Sequence, residues 1–160
     1  MLLALEQEIL TQLSPLQTED NIRLLGLPSG SISGLPQMAG ELAIGYLQTT
    51  FVEPERLGLY AQTLREEFVI ALALRDLRSH RQAYPLLQKI RLLLLGYRPI
   101  AYRPVYLLAQ KFIGLQENIW SFETRIAVPS TITPDGLVNG TGLGADLPQV
   151  QELSFWGGLE

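Results

Sequence analysis

Residues 119–128 alternate without a break between the two sides of a pleated chain. Trp120, Phe122, Thr124, Ile126 and Val128 fall on one side, and Ser121, Glu123 and Arg125 on the other. A period of two marks a strand with one wet face and one buried face. Such a strand needs a partner strand and an apolar surface to lie on. Residues 105–113 supply the partner, with 114–118 as the turn, and the two make a half-exposed antiparallel hairpin.

The apolar surface lies just upstream. Ala83, Leu86, Leu87, Ile90, Leu93 and Leu94 recur at helical spacing, while Arg81, Gln88, Lys89 and Arg91 decorate the opposite side. This predicts a main helix over about 80–95. Ser79 and Gln82 have the spacing of a capping box. Pro85 conflicts with a helix that starts there, because proline loses a hydrogen bond and clashes with the preceding turn. The reading that resolves the conflict makes 79–82 a separate turn and starts the helix near Tyr84. Gly96 suits the left-handed residue after a helix, and Pro99 blocks continuation.

Leu2, Leu5, Ile9, Leu13 and Leu16 predict a second amphipathic helix, weakening around Ser14 and Pro15. Residues 22–27 and 41–52 read as strands, and 29–40 as a loop rich in Gly, Pro and Ser. Residues 53–65 could be a short helix or a long turn. Residues 68–74 are almost continuously apolar, the pattern of a strand buried on both faces at the centre of a sheet. The expected fold class is α+β: a mostly antiparallel sheet of four to five strands, packed by the N-terminal helix and the main helix. The expected division is a domain over 1–128 and an extended C-terminal arm over 129–160. That arm is punctuated by Pro129, Pro134, Gly136, Gly140 and Pro148 and ends in an aromatic pair, Phe155 and Trp156. Exposed aromatics of this kind imply a docking surface on the same protomer or on a neighbour.

Composition removes several classes of function. The chain has 160 residues, no cysteine and a formal net charge of −4. Thiolate chemistry, zinc–thiolate sites and a basic nucleic-acid footprint are therefore excluded. No signal peptide or membrane span is expected. The one histidine, His80, stands among arginines with no nucleophile or second ligand beside it. Gly140, Gly142 and Gly144 imitate part of a dinucleotide loop but lack the strand before and the helix after that phosphate binding needs. The acidic pairs Glu19–Asp20 and Glu66–Glu67 read as features of turns and solvated edges. No catalytic residue, cofactor or metal is expected, and the chain reads as a non-enzyme. Arg75, Asp76, Arg78 and Arg81 form a charged cluster between the central strand and the main helix. Two readings stand for it: a subunit or partner contact, or local ion pairing around a turn. A ligand site on Arg75, Asp76 and Arg78 is a third, weaker reading, because no nucleophile–base pair accompanies them.

The run from Leu74-Arg-Asp-Leu-Arg-Ser-His-Arg-Gln-Ala-Tyr-Pro through Ile90-Arg-Leu-Leu-Leu-Leu-Gly-Tyr-Arg-Pro, with Ile119-Trp-Ser-Phe-Glu, resembles the tail-terminator family of contractile-tailed bacteriophages, the Mu-like minor tail proteins. The likeness covers residues 1–128 and not the arm. It implies an α+β subunit in a homohexameric ring on the head-proximal end of the tail tube. The ring would stop tube polymerisation, meet the end of the sheath and present a surface to the neck or connector proteins. It would be part of the virion at the tail–neck junction, assembled in the host cytoplasm, with DNA passing through the lumen without specific binding. Another neck or head–tail connector protein is the alternative. Sheet edges give the ring a physical basis, since a closed ring can pair them without growing a fibre. The expected interface residues are Arg75, Asp76, Arg78, Arg81, Phe155 and Trp156.

Overall fold

The structure, a computed structural model, describes residues 1–26, 39–53 and 60–138. Its elements follow in order as α1 (Leu2–Gln12), α2 (Ser14–Asp20), β1 (Ile22–Gly26), β2 (Gly40–Phe51), β3 (Gln62–Arg75), a 3₁₀ turn (His80–Ala83), α3 (Tyr84–Leu94), β4 (Tyr106–Gln116), β5 (Ile119–Thr133) and β6 (Gly136–Val138). The fold is α+β, as expected. The strands form one six-stranded sheet in the order β1-β2-β3-β5-β4, with β6 pairing β5. All pairings are antiparallel except β1 with β2. Thus the sheet exceeds the expected four to five strands by the short β6.

Local chemistry explains where the elements stop. Pro15 sits in the first turn of α2, where its missing N–H costs nothing, so the long apolar repeat breaks into two helices. Asn21 ends α2 in the left-handed region at φ 56°. Pro85 likewise lies in the first turn of α3, and the preceding 3₁₀ turn absorbs His80–Ala83. No capping box forms at Ser79. Instead the Arg78 N–H donates to Gln82 Oε1 at 2.7 Å. Gly96 is left-handed at φ 79°, and its N–H donates to the Val105 carbonyl.

Helices cover one face of the sheet. Leu5 and Ile9 of α1, Leu13 at the junction and Leu16 of α2, with Leu87, Ile90 and Leu94 from α3, bury against Leu42, Ile44, Phe68, Ile70, Leu72, Phe122 and Ile126. Burying each such side chain contributes about 1.5–3 kcal/mol. Polar links tie the helices together. Gln12 Nε2 donates to the Leu93 carbonyl, the Ile100 N–H donates to Glu8, and Lys89 of α3 reaches both Glu19 and Asp20 at the end of α2. At the start of β2, a Cβ on Gly40 would stand 2.3 Å from the Ala73 carbonyl oxygen, so only glycine lets β2 approach β3 there.

Four expectations change. The strand at 68–74 is central, but no described helix covers its second face: Ala71 is exposed, and Val69 and Ala73 are half-buried. Glu66 and Glu67 are not at a turn or solvated edge. They lie inside β3, on opposite faces, and are 6% and 5% exposed. Gly114 lies within β4; the hairpin turn is Glu117–Asn118, both with positive φ, which is the geometry of a two-residue primed turn. Finally, regular structure does not stop at Pro129. β5 continues to Thr133 and β6 folds back on it, past the strand end expected at Val128.

Lys89 and Tyr102 are among the groups that set how this fold answers alkali. Hydrogen bonds to Asp20 and then Glu19 hold Lys89 above its ordinary value. Burial, reinforced by the charges of Glu66 and Glu8, pushes Tyr102 up to about 12 from 10.0. In both cases folding favours the protonated form. Their stabilisation is therefore complete below about pH 10 and decays as pH rises toward 12. Urea midpoints measured from pH 9 to 12 should fall along this window, and Tyr102→Phe should flatten the fall. Parallel curves for the two proteins would contradict this account of Tyr102.

Candidate assembly surface

β4 is the edge of the sheet. One side pairs with β5 from Tyr106↔Ala127 to Gln116↔Ile119, and no described strand pairs the other side. Two register shifts, at Leu107/Ala109 and Phe112/Gly114, push extra residues out of the ladder. Soluble proteins usually protect a long edge with charges or proline. This one carries Leu108, Phe112, Ile113 and Leu115, each between 40% and 53% exposed, and a single charge, Lys111.

Beside the edge, on the helix-covered face, a groove of about 600 Å³ opens between α3 and β4. His80, Tyr84, Phe112 and Phe122 line it, and Trp120 lies beside them. His80 lies 5.6 Å from Tyr84 and 6.5 Å from Trp120, and Phe112 lies 5.9 Å from Trp120 and 5.5 Å from Phe122. Such ring pairs contribute about 0.5–1.5 kcal/mol each beyond their burial. Arg91 stands on the rim. Gln110 bridges strand and helix: its Oε1 accepts from Arg91 Nε at 2.6 Å, and its Nε2 donates to Thr124 Oγ1 at 2.9 Å and to the Leu87 carbonyl at 3.3 Å.

The charged cluster foreseen between β3 and α3 is a stitched turn. Asp76 takes a left-handed φ of 58°, and its Oδ1 accepts from Asn118 Nδ2 in the β4–β5 turn at 3.2 Å. Trp120 Nε1 donates to the Leu77 carbonyl at 3.2 Å. The Arg75 N–H donates to the Ala39 carbonyl, which ties the end of β3 to the start of β2. Arg78 and Arg81 are exposed. Hence Asp76 serves the hairpin, and Arg78 and Arg81 face solvent near the groove's His80 end. Phe155 and Trp156 lie outside the described residues. The sequence reading missed the β4 edge itself. Its signal was present in Leu107-Leu108 and Phe112-Ile113, apolar pairs that break strict alternation where the bulges occur.

On the face without helices, charges pair along the sheet. Arg125 Nε meets Glu123 at 2.7 Å with Lys111 at 3.8 Å, Arg65 meets Glu67 at 2.6 Å, and Arg23 meets Glu41 at 3.7 Å. Among the described residues no group of three His, Asp or Glu gathers as a metal site. No described helix is long and apolar enough to cross a membrane.

Residues 33–140 match the family described as Gp37 protein, a family of bacteriophage proteins. The chain belongs to the Gp37 family. The match runs from the segment before β2 through β6 and includes the whole β4 edge and its groove. It places this Gp37 member with phage structural proteins and with the virion. No curated protein matches the sequence.

Gln110→Ala should remove the bridge between strand and helix and leave the buried Thr124 hydroxyl without its partner. The expected cost is about 1–3 kcal/mol in urea unfolding. A loss below about 0.5 kcal/mol, the level of an ordinary surface change, would show that the bridge does not hold the groove.

Proposed function

We propose that this Gp37 family member is a tail terminator: a subunit of a homohexameric ring at the head-proximal end of the tail tube. There it ends tube growth, meets the end of the sheath and joins the tail to the neck or connector proteins. It does this as a non-enzyme, through surfaces alone. The observation that carries the reading is the β4 edge. Eleven residues of edge strand with four exposed large apolar side chains are a poor surface for a lone subunit and a good one for subunit contact. Membership in a phage structural family gives the edge an assembly to serve.

A cyclic ring closes such contacts without an open fibre, because each subunit offers one surface and accepts another. β1 is the opposite edge of the same sheet, so the subunit has two distinct sides on which neighbours can sit. The chain's acidic balance suits a lumen through which DNA slides, since basic residues would retain phosphate. Asp76 and the Leu77 carbonyl support this role by fixing the tip of the β4–β5 hairpin, and Arg78 and Arg81 stay exposed on the same turn.

Two measurements test the proposal. Phage particles made without the protein should carry tails of uncontrolled length under the electron microscope, and tails of normal length would rule out a terminator. The pair Ile113→Lys and Leu115→Lys should leave the unfolding free energy from urea titration within about 0.5 kcal/mol and abolish rings in light scattering. Intact rings in the double variant would exclude β4 as the contact.

A further inference from the structure

We infer that the neighbour seated on β4 is the β1 edge of a second copy of this chain, joined as an antiparallel pair that carries one sheet into the next. The inference rests on the ring reading and deepens it by naming the two surfaces that meet.

The edges themselves narrow the choice. The sheet runs β1-β2-β3-β5-β4, so its outer strands among the described residues are β1 and β4, and β6 beside β5 is only three residues long. A cyclic ring needs two different surfaces on each subunit, because the surface a subunit offers is not the one it receives. Pairing β4 with a second β4 would be a two-fold contact, which closes a dimer and leaves no ring.

Direction agrees. β1 is parallel to β2, and β2–β3, β3–β5 and β5–β4 are each antiparallel, so β1 runs opposite to β4. The rotation that carries one ring subunit onto the next keeps strand direction along the ring axis. A neighbour's β1 laid beside β4 therefore makes an antiparallel ladder, the slightly more stable kind.

Length separates the candidates further. Between its two register shifts, β4 is regular only over Ala109–Phe112. A second β4 would have to follow both bulges. β1 has five residues, Ile22–Gly26, or about 17 Å of strand, and needs little more than the regular run. Neither edge is guarded by proline, and each carries one charge that is already paired within its own sheet: Arg23 with Glu41 at 3.7 Å, and Lys111 with Glu123 at 3.8 Å. Leu24 and Leu25 of β1 are half-buried and can complete their burial against β4.

The helix layer fits the same arrangement. α1 and α2 pack on β1. A sheet continued with its helices on one side sets the neighbour's α2 beside the groove between α3 and β4. Tyr84 and Phe112, 52% and 50% exposed in the single subunit, would then be covered, and edge and groove become one interface.

The chain contains no cysteine, so single cysteines mark the two edges. Leu25 and Ala109 lie on the same face of the sheet. Full-length Leu25→Cys and Ala109→Cys chains are refolded together, checked for rings by light scattering, and treated with a short bis-maleimide whose span tolerates a shift of register. Arg23→Cys, on the same face, replaces Leu25→Cys if that variant does not assemble. The mixture should give cross-linked dimers about tenfold faster than either variant alone, as held proximity requires. Ala109→Cys alone reacting as fast as the mixture would place β4 against β4 and overturn the inference. Rings without cross-links between the two variants would overturn it and leave the terminator reading standing. Wild-type chains that never form rings would overturn both.

Discussion

The pairing of β3 with β5 is the interaction on which everything else in this subunit depends. All 14 residues of β3 have a partner on β5, in one unbroken register. A slip of one residue would send Phe68, Ile70 and Leu72 to the bare face and bring Val69, Ala71 and Ala73 beneath the helices. Register is thus locked by burial: Phe68, Ile70 and Ile126 are fully buried, and the residues between them are smaller or charged. β2 and β4 add on either side of this pair, and the helices settle on the face it defines.

From that constraint follows a lopsided subunit. One face is sealed by three helices, and on the other charged side chains pair in the plane of the sheet. The polypeptide has nothing left among its described residues with which to shield β4. An edge that is apolar, bulged and bare beside an aromatic groove is a surface awaiting a partner. The proposed ring contact would use such a surface.

Much of the fold could be read from the sequence because the signals were local. Pro85 announced its own first-turn position, and the alternation of Trp120 to Val128 fixed which side of β5 is buried. What could not be read depended on neighbours. Residues 68–74 look doubly buried because Ala71 and Ala73 are apolar by type, yet what covers a face is decided by the rest of the chain. Pro129 looked like a terminus, but its carbonyl accepts from the Arg103 N–H on the β4 side. Its missing N–H therefore faces the side where β4 pairing has already ended, and the strand passes through. The cluster at Arg75–Arg81 was visible as charge. Its use of Asp76 to hold Asn118 was not, because that bond joins residues far apart in sequence.

Hydrogen exchange along β4 tests the central claim most directly. In the isolated subunit, amides of residues 106–116 that point away from β5 should exchange rapidly, while those of β3 stay protected. On assembly the β4 amides should gain protection of about tenfold or more, the mark of an edge that has found its neighbour. Protection that appears elsewhere on the subunit while β4 continues to exchange freely would contradict the account.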